Sequence, residues 1–201
     1  MSYVPRGTVY GTLLNFRSEF DALAPQMHEA PYKAPPKAPV LYVKTANTFS
    51  PDGAAIPVPA RVPQVEIGAT VGMVMKSASE VAGCVLMNDV SIPHASFFRP
   101  PVKFKCLDGF LGIGAEVREV DPASVQIDVL VNGQPRQSVR FDALVRDAQR
   151  LLADVGEFMT LGAGDVLMLG LAASRPLAGA GDVVQLRGAG LGTLSNTLEG
   201  A

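Results

Sequence analysis

The apolar runs of this chain are short, and they stop at glycine or proline. With 20 glycines and 16 prolines in 201 residues, there are too many breaks for a helical protein, and the pattern points to turns joining short strands. The run Val125–Val131 alternates apolar and polar residues, as a strand with one solvated face does. Asn132-Gly133 follows it, and both residues tolerate the positive φ of a tight hairpin. Thr8–Asn15, Val40–Lys44, Gly68–Met75, Val81–Met87 and Val183–Leu186 read as further strands. One convincing helix is expected over 141–156, where Phe141, Leu144, Val145, Ala148, Leu151, Leu152 and Val155 form one apolar stripe. A short helix fits Ser18–Leu23. The stretch Ala30–Pro39 holds four prolines and cannot form regular structure.

The fold class that follows is mixed α/β and β-rich. A turn-rich N-terminal cap over 1–60 is expected to precede a main β domain over 61–201. The chain is long enough for one continuous core, and 48% hydrophobic with 18% charged residues is globular composition. A net charge of −2 gives no electrostatic reason to expect nucleic acid. No apolar run reaches the roughly 18 residues of a membrane span. Met1–Arg6 lacks the apolar segment of a secretory signal. Cys84 and Cys106 lie in apolar surroundings and read as reduced thiols, so a cytoplasmic location is expected.

Little of the chain carries obvious chemistry. Gly162–Val166 and Gly179–Val183 repeat a Gly-Asp turn that opens a strand, whereas a phosphate loop should open a helix. Gly188–Gly192 fails the same test. His28 and His94 are too few for a multi-histidine metal site, and His94 reads as a solvated loop residue. A nucleophilic Cys106 beside Lys103 and Lys105 is conceivable, but an inert thiol fits better. Asn88-Asp89 ends an apolar strand, where a carboxylate either ligates a hard cation or caps a turn. Lys103 and Lys105 are expected on one strand face, as a salt-bridged surface or as cations stabilising an enolate or a carboxylate.

The order Asn88-Asp89-Val90-Ser91, Lys105-x-x-Asp108, helix, then Glu157-Phe158-Met159-Thr160-Leu161-x-x-Gly164-Asp165-Val166 resembles the fumarylacetoacetate hydrolase family. Gly181-Asp182-Val183-Val184 and Gly190-x-Gly192-Thr193-Leu194-x-Asn196 are similar to its C-terminal segment. Within the family, Pro31–Lys37, Lys44-x-x-Asn47-Thr48 and Phe98-Arg99-Pro100-x-x-x-x-Lys105-x-x-Asp108-Gly109 resemble the homoprotocatechuate branch, which serves 4-hydroxyphenylacetate degradation.

The resemblance implies a β-roll around a divalent cation, Mg²⁺ or Mn²⁺, held by a Glu-x-Glu pair and the Asp of the Asn-Asp motif. A bound cation stabilises the oxyanion of decarboxylation or enol–keto isomerisation. Carried over, Asp89 is the metal ligand, Lys105 the catalytic charge stabiliser, and Asn15, Arg17, Lys44, Arg99 and Asp108 substrate-binding residues. The Glu pair falls on Gly68 and Thr70, or on Gln64 and Glu66 in a shifted register. The family's His-x-x-Glu pair falls on Glu19 and Ala22, and its Gly-Thr-Pro threonine on Leu171. The implied cation grip is therefore weak or lost, as in an N-terminal half or first subunit of the branch. Two functions follow as expectations. One is a 2-hydroxyhepta-2,4-diene-1,7-dioate isomerase and 5-oxopent-3-ene-1,2,5-tricarboxylate decarboxylase, acting on a small di- or tricarboxylate. The other is a catalytically degraded structural subunit. A homodimer, or a heteromer with a metal-bearing paralogue, is implied in either case.

Overall fold

The computed structural model describes residues 2–201. In chain order its elements are β1 (Val9–Leu13), α1 (Arg17–Leu23), β2 (Val40–Lys44), β3 (Phe49–Pro51), β4 (Ala55–Val58), β5 (Val65–Glu66), β6 (Ala69–Met75) and β7 (Val81–Asp89). There follow α2 (Val102–Lys105), β8 (Leu111–Ile113), β9 (Gln126–Val131), β10 (Gln134–Arg140), α3 (Ala148–Gly156), β11 (Val166–Met168), β12 (Leu177–Ala178), β13 (Val183–Gly188) and β14 (Gly192–Gly200). A seven-stranded sheet runs β2-β1-β11-β6-β7-β8-β3, a five-stranded sheet runs β10-β9-β13-β14-β4, and β5 pairs with β12 alone. The chain's first sixty residues supply strands to both larger sheets.

The seven-stranded sheet has to curl. Its two edges, β2 and β3, are six strand spacings apart, about 29 Å in a flat sheet at roughly 4.8 Å each. Yet only Thr45–Thr48 join them, and five backbone steps reach at most about 17 Å. The sheet therefore rolls until its edges approach, giving the β-roll. Both faces are covered. Met73, Met75 and Leu86 pack toward Ile127, Val129, Leu186 and Leu194 of the five-stranded sheet, in one core. Val74, Val85, Met87, Val166 and Met168 form a second core on the opposite face, closed by Leu23 and Met27. Burial on both faces explains why β6 is buried at every position while β9 begins in alternation.

Local expectations hold where the period is strong. Asn132 (φ 52°) and Gly133 (φ 74°) make the β9–β10 hairpin. The two Gly-Asp turns are alike: Gly162 N donates to Asp165 Oδ2 and Gly179 N to Asp182 Oδ2, each at 2.7 Å. Two readings are corrected. The helix expected over 141–156 forms only over 148–156. Asn15 holds the backbone of Arg146 through both its amide atoms, and Val145 N donates to Asn15 O, so the chain cannot coil before Asp147 caps α3 by accepting from Arg150 N. Phe141 is still buried from its irregular segment. Lys103 and Lys105 lie on the one-turn helix α2 rather than on a strand, which leaves Lys103 exposed and Lys105 buried.

Candidate functional site

Asp89 ends β7 on the same face as Val85 and Met87, so its carboxylate points into the roll. It is fully buried. Lys44 and Tyr42 share one face of β2 and reach the same place. Lys44 Nζ lies 2.9 Å from Asp89 Oδ1, Lys105 Nζ donates to Asp89 Oδ2 at 2.7 Å, and the Tyr42 hydroxyl donates to Oδ2 as well. Lys44 also donates to the carbonyl of Phe110 at 2.6 Å and to that of Lys105. Lys105 Nζ stands 5.1 Å from the centroid of the Tyr42 ring, within cation–π range. The ring fits because its cross-strand partner is Gly11.

The electrostatics follow from burial. Desolvation alone would raise the carboxyl of Asp89, but Lys105 and Lys44 outweigh it and hold the group well below the usual carboxylate range. Burial lowers the Lys44 ammonium against the pull of Asp89, and burial together with Asp89 pushes the Tyr42 phenol well above its ordinary value. A carboxyl depressed in the folded state stabilises the fold above its unfolded pKa, near 3.9, and that contribution is lost as pH falls further. Denaturant midpoints should thus be level from pH 7 to 5 and drop below about pH 4. The drop should be smaller in Asp89→Asn, and an equal drop in that variant would remove Asp89 as its source.

The residues at this place do not fit a divalent cation. In the preferred register the implied ligand pair is Gly68 and Thr70, but a Cβ at Gly68 would stand 2.4 Å from the carbonyl oxygen of Asp89, so no side chain can project from it. The Thr70 hydroxyl is spent on the carbonyl of Gly170 at 2.7 Å. Glu66, the alternative, pairs with Arg175. Among the described residues no three His, Cys, Asp or Glu side chains gather to hold a metal. A doubly charged ion on Asp89 would also meet about 8 kcal/mol of repulsion from each ammonium at ~4 Å and an effective dielectric of ~20.

A second charged group lies on α1, β5 and the loop before β12. Arg175 Nη1 binds Glu19 Oε1 and its Nε binds Glu66 Oε2, both at 2.8 Å, and all three side chains are largely buried. Burial would lower the guanidinium, but Glu19 and Glu66 outweigh it and raise it further. Glu19 Oε2 also accepts from Leu14 N at 2.8 Å. Glu19, Gln26, Phe97 and Arg175 help line a cavity of about 210 Å³.

The structure therefore brings Lys44, Asp89 and Lys105 together and leaves the other anticipated residues apart from them. Asn15 is buried with its side-chain amide bonded to the carbonyls of Leu169 and Arg146. Asp108 accepts from Asn47 Nδ2 at 2.7 Å near the surface, and Arg17 and Arg99 are exposed. His94 is not simply solvated: it stacks on Phe104 with centroids 4.7 Å apart. Burial pushes the Cys84 thiol up to about 11, an inert group. Sequence reasoning missed Tyr42 and Arg175. Tyr42 had a signal, lying two residues before Lys44 on the same strand face; Arg175 had none.

Comparison with known proteins places this geometry. The chain is 38% identical to a 4-hydroxyphenylacetate degradation bifunctional isomerase/decarboxylase of Escherichia coli, over 95% of this chain and 47% of that protein. It thus spans about half the length of that relative. Among solved structures, a 5-carboxymethyl-2-hydroxymuconate delta-isomerase from Mycobacterium smegmatis superimposes with a TM-score of 0.83 at 23% identity, covering 100% of this chain and 81% of that one. A fumarylpyruvate hydrolase from Pseudomonas aeruginosa, solved with Mn²⁺ and pyruvate, gives 0.78 at 20% identity, covering 97% and 90%. These two share the fold, and the second is a relative in fold with a divalent metal bound. No helix among the described residues is long and apolar enough to cross a membrane. With the fumarylacetoacetate (FAA) hydrolase C-terminal family matching residues 8–199, the chain belongs to the fumarylacetoacetate hydrolase family.

Proposed function

We propose that the chain is one half of an isomerase/decarboxylase of 4-hydroxyphenylacetate breakdown. Its substrates are small unsaturated acids of the 2-hydroxyhepta-2,4-diene-1,7-dioate and 5-oxopent-3-ene-1,2,5-tricarboxylate kind. The observation that carries this reading is the 38% identity along nearly all of this chain to a bifunctional enzyme of twice the length. If this half performs turnover itself, Lys105 is the group that stabilises the enolate, with Asn15, Arg17, Lys44, Arg99 and Asp108 as substrate contacts.

A second reading, that this half is the structural partner of a metal-bearing paralogue, has its own support. The Asp89 cluster is sealed from solvent and Gly68 cannot carry a ligand. On this reading the Mg²⁺ or Mn²⁺ of the reaction belongs to the other half, and the assembly is a heteromer. The test is conversion of 2-hydroxyhepta-2,4-diene-1,7-dioate, followed by absorbance, by the purified chain with Mn²⁺, with EDTA, and mixed with a metal-bearing paralogous half. We expect no turnover by the lone chain and turnover in the mixture. Turnover by the lone chain at the mixture's rate would overturn the second reading, and an inactive mixture would overturn both.

A further inference from the structure

The Asp89 cluster joins parts of the roll that the sheet order holds apart. Between β2 and β7 lie β1, β11 and β6, four strand spacings or about 19 Å in a flat sheet. Across that gap Lys44 of β2 meets Asp89 of β7 at 2.9 Å, and α2 is tied to the same carboxylate by Lys105. An ammonium stands against each carboxylate oxygen, as a hydrogen bond at Oδ2 and as an ion-pair contact alone at Oδ1, and Lys44 is further held by backbone carbonyls of Phe110 and Lys105. Two ammonium groups carry the charge of one divalent ion, and the Tyr42 hydroxyl takes up what remains of Oδ2.

We propose that Lys44 and Lys105, with Tyr42, serve as the counter-charge of Asp89 without a divalent ion, making the cluster a metal-free clamp that closes the curled sheet. The clamp rests on the second reading, in which the metal of the reaction belongs to the other half, and it concerns how this half is held shut. A buried carboxylate with two charged partners is costly to break from one side, since the partners are left unpaired in a dry interior. In a metal site the opposite sign is expected without metal: removing a ligand carboxylate relieves repulsion.

The test needs no substrate. The EDTA-treated chain is titrated with Mn²⁺ while the free ion is counted by electron paramagnetic resonance, and Tm is measured with and without Mn²⁺. We expect no saturable binding to about 1 mM, weaker than any dedicated hard-cation site, and one Tm in both conditions. Asp89→Asn should lower Tm in EDTA by about 10 °C. Asp89→Asn/Lys105→Met, which removes one ammonium with the carboxylate, should melt above Asp89→Asn. Saturable micromolar binding of Mn²⁺ to the wild type would overturn the clamp. So would an Asp89→Asn variant that is as stable as the wild type in EDTA, or more so. If Asp89→Asn cannot be obtained folded, the Mn²⁺ titration of the wild type decides alone.

Discussion

Arg175→Leu is expected to cost about 3–5 kcal/mol of stability, measured by chemical denaturation, because it strands two buried carboxylates. Arg175 bridges Glu19 on α1 and Glu66 on β5, and among the described residues no other cation pairs with either carboxylate. The loss should not be spread evenly. Helix α1 has seven residues, no side-chain cap on its N-terminus, and only Glu19 and Leu23 buried. A helix this short is marginal alone and depends on its packing. Amide exchange over 17–23 should therefore speed up in Arg175→Leu far more than in β6 or β7. Glu66→Gln in the Arg175→Leu background should recover part of the loss, since it removes one of the two facing charges. A loss below about 1 kcal/mol, the range of exposed ion pairs, would show that the bridge holds nothing.

How much of this was legible in the sequence depended on whether the cause was local. Strand β2 lies where the compact Val-Leu-Tyr-Val segment stands, at Val40–Lys44, and the Asn132-Gly133 hairpin needs only its own two backbones. The helix boundary at 148 was not local: Asn15, more than 130 residues away, fixes Arg146 and overrides a favourable stripe. Alternation over Lys103–Lys105 could not tell a strand from a single helical turn, which forms with Pro101 at its N-cap, the Pro101 carbonyl accepting from Phe104 N and Lys105 N. At the candidate site, the end of an apolar strand singled out Asp89, and the family resemblance singled out Lys44 and Lys105 with it. The filling of the place implied for a cation was invisible. It depends on Tyr42 lying over Gly11 and on Gly68 packing against the Asp89 carbonyl, contacts between segments remote in sequence.

Gly11→Ala should be nearly as damaging as the loss of Arg175, although it adds one methyl group. A Cβ at Gly11 would stand 2.0 Å from Tyr42 Cζ and 2.4 Å from Cε1 and Cε2, so the ring has to leave its place. Overpacking a filled core costs about 1–3 kcal/mol. Displacing the ring also breaks the hydrogen bond from its hydroxyl to charged Asp89, worth about 1.5–3 kcal/mol. Together about 3 kcal/mol or more is expected, read by urea denaturation with tyrosine fluorescence, since the chain has no Trp. A double-mutant cycle assigns the cause. In the Tyr42→Leu background there is no ring at Cζ to meet, so the same Gly11→Ala change should cost under about 1 kcal/mol, a coupling expected only of residues in contact. An equal cost in both backgrounds would mean that Gly11 is required for its backbone and not for the room it leaves. The Tyr42 hydroxyl would then have to be held on Asp89 by something other than the bare strand opposite.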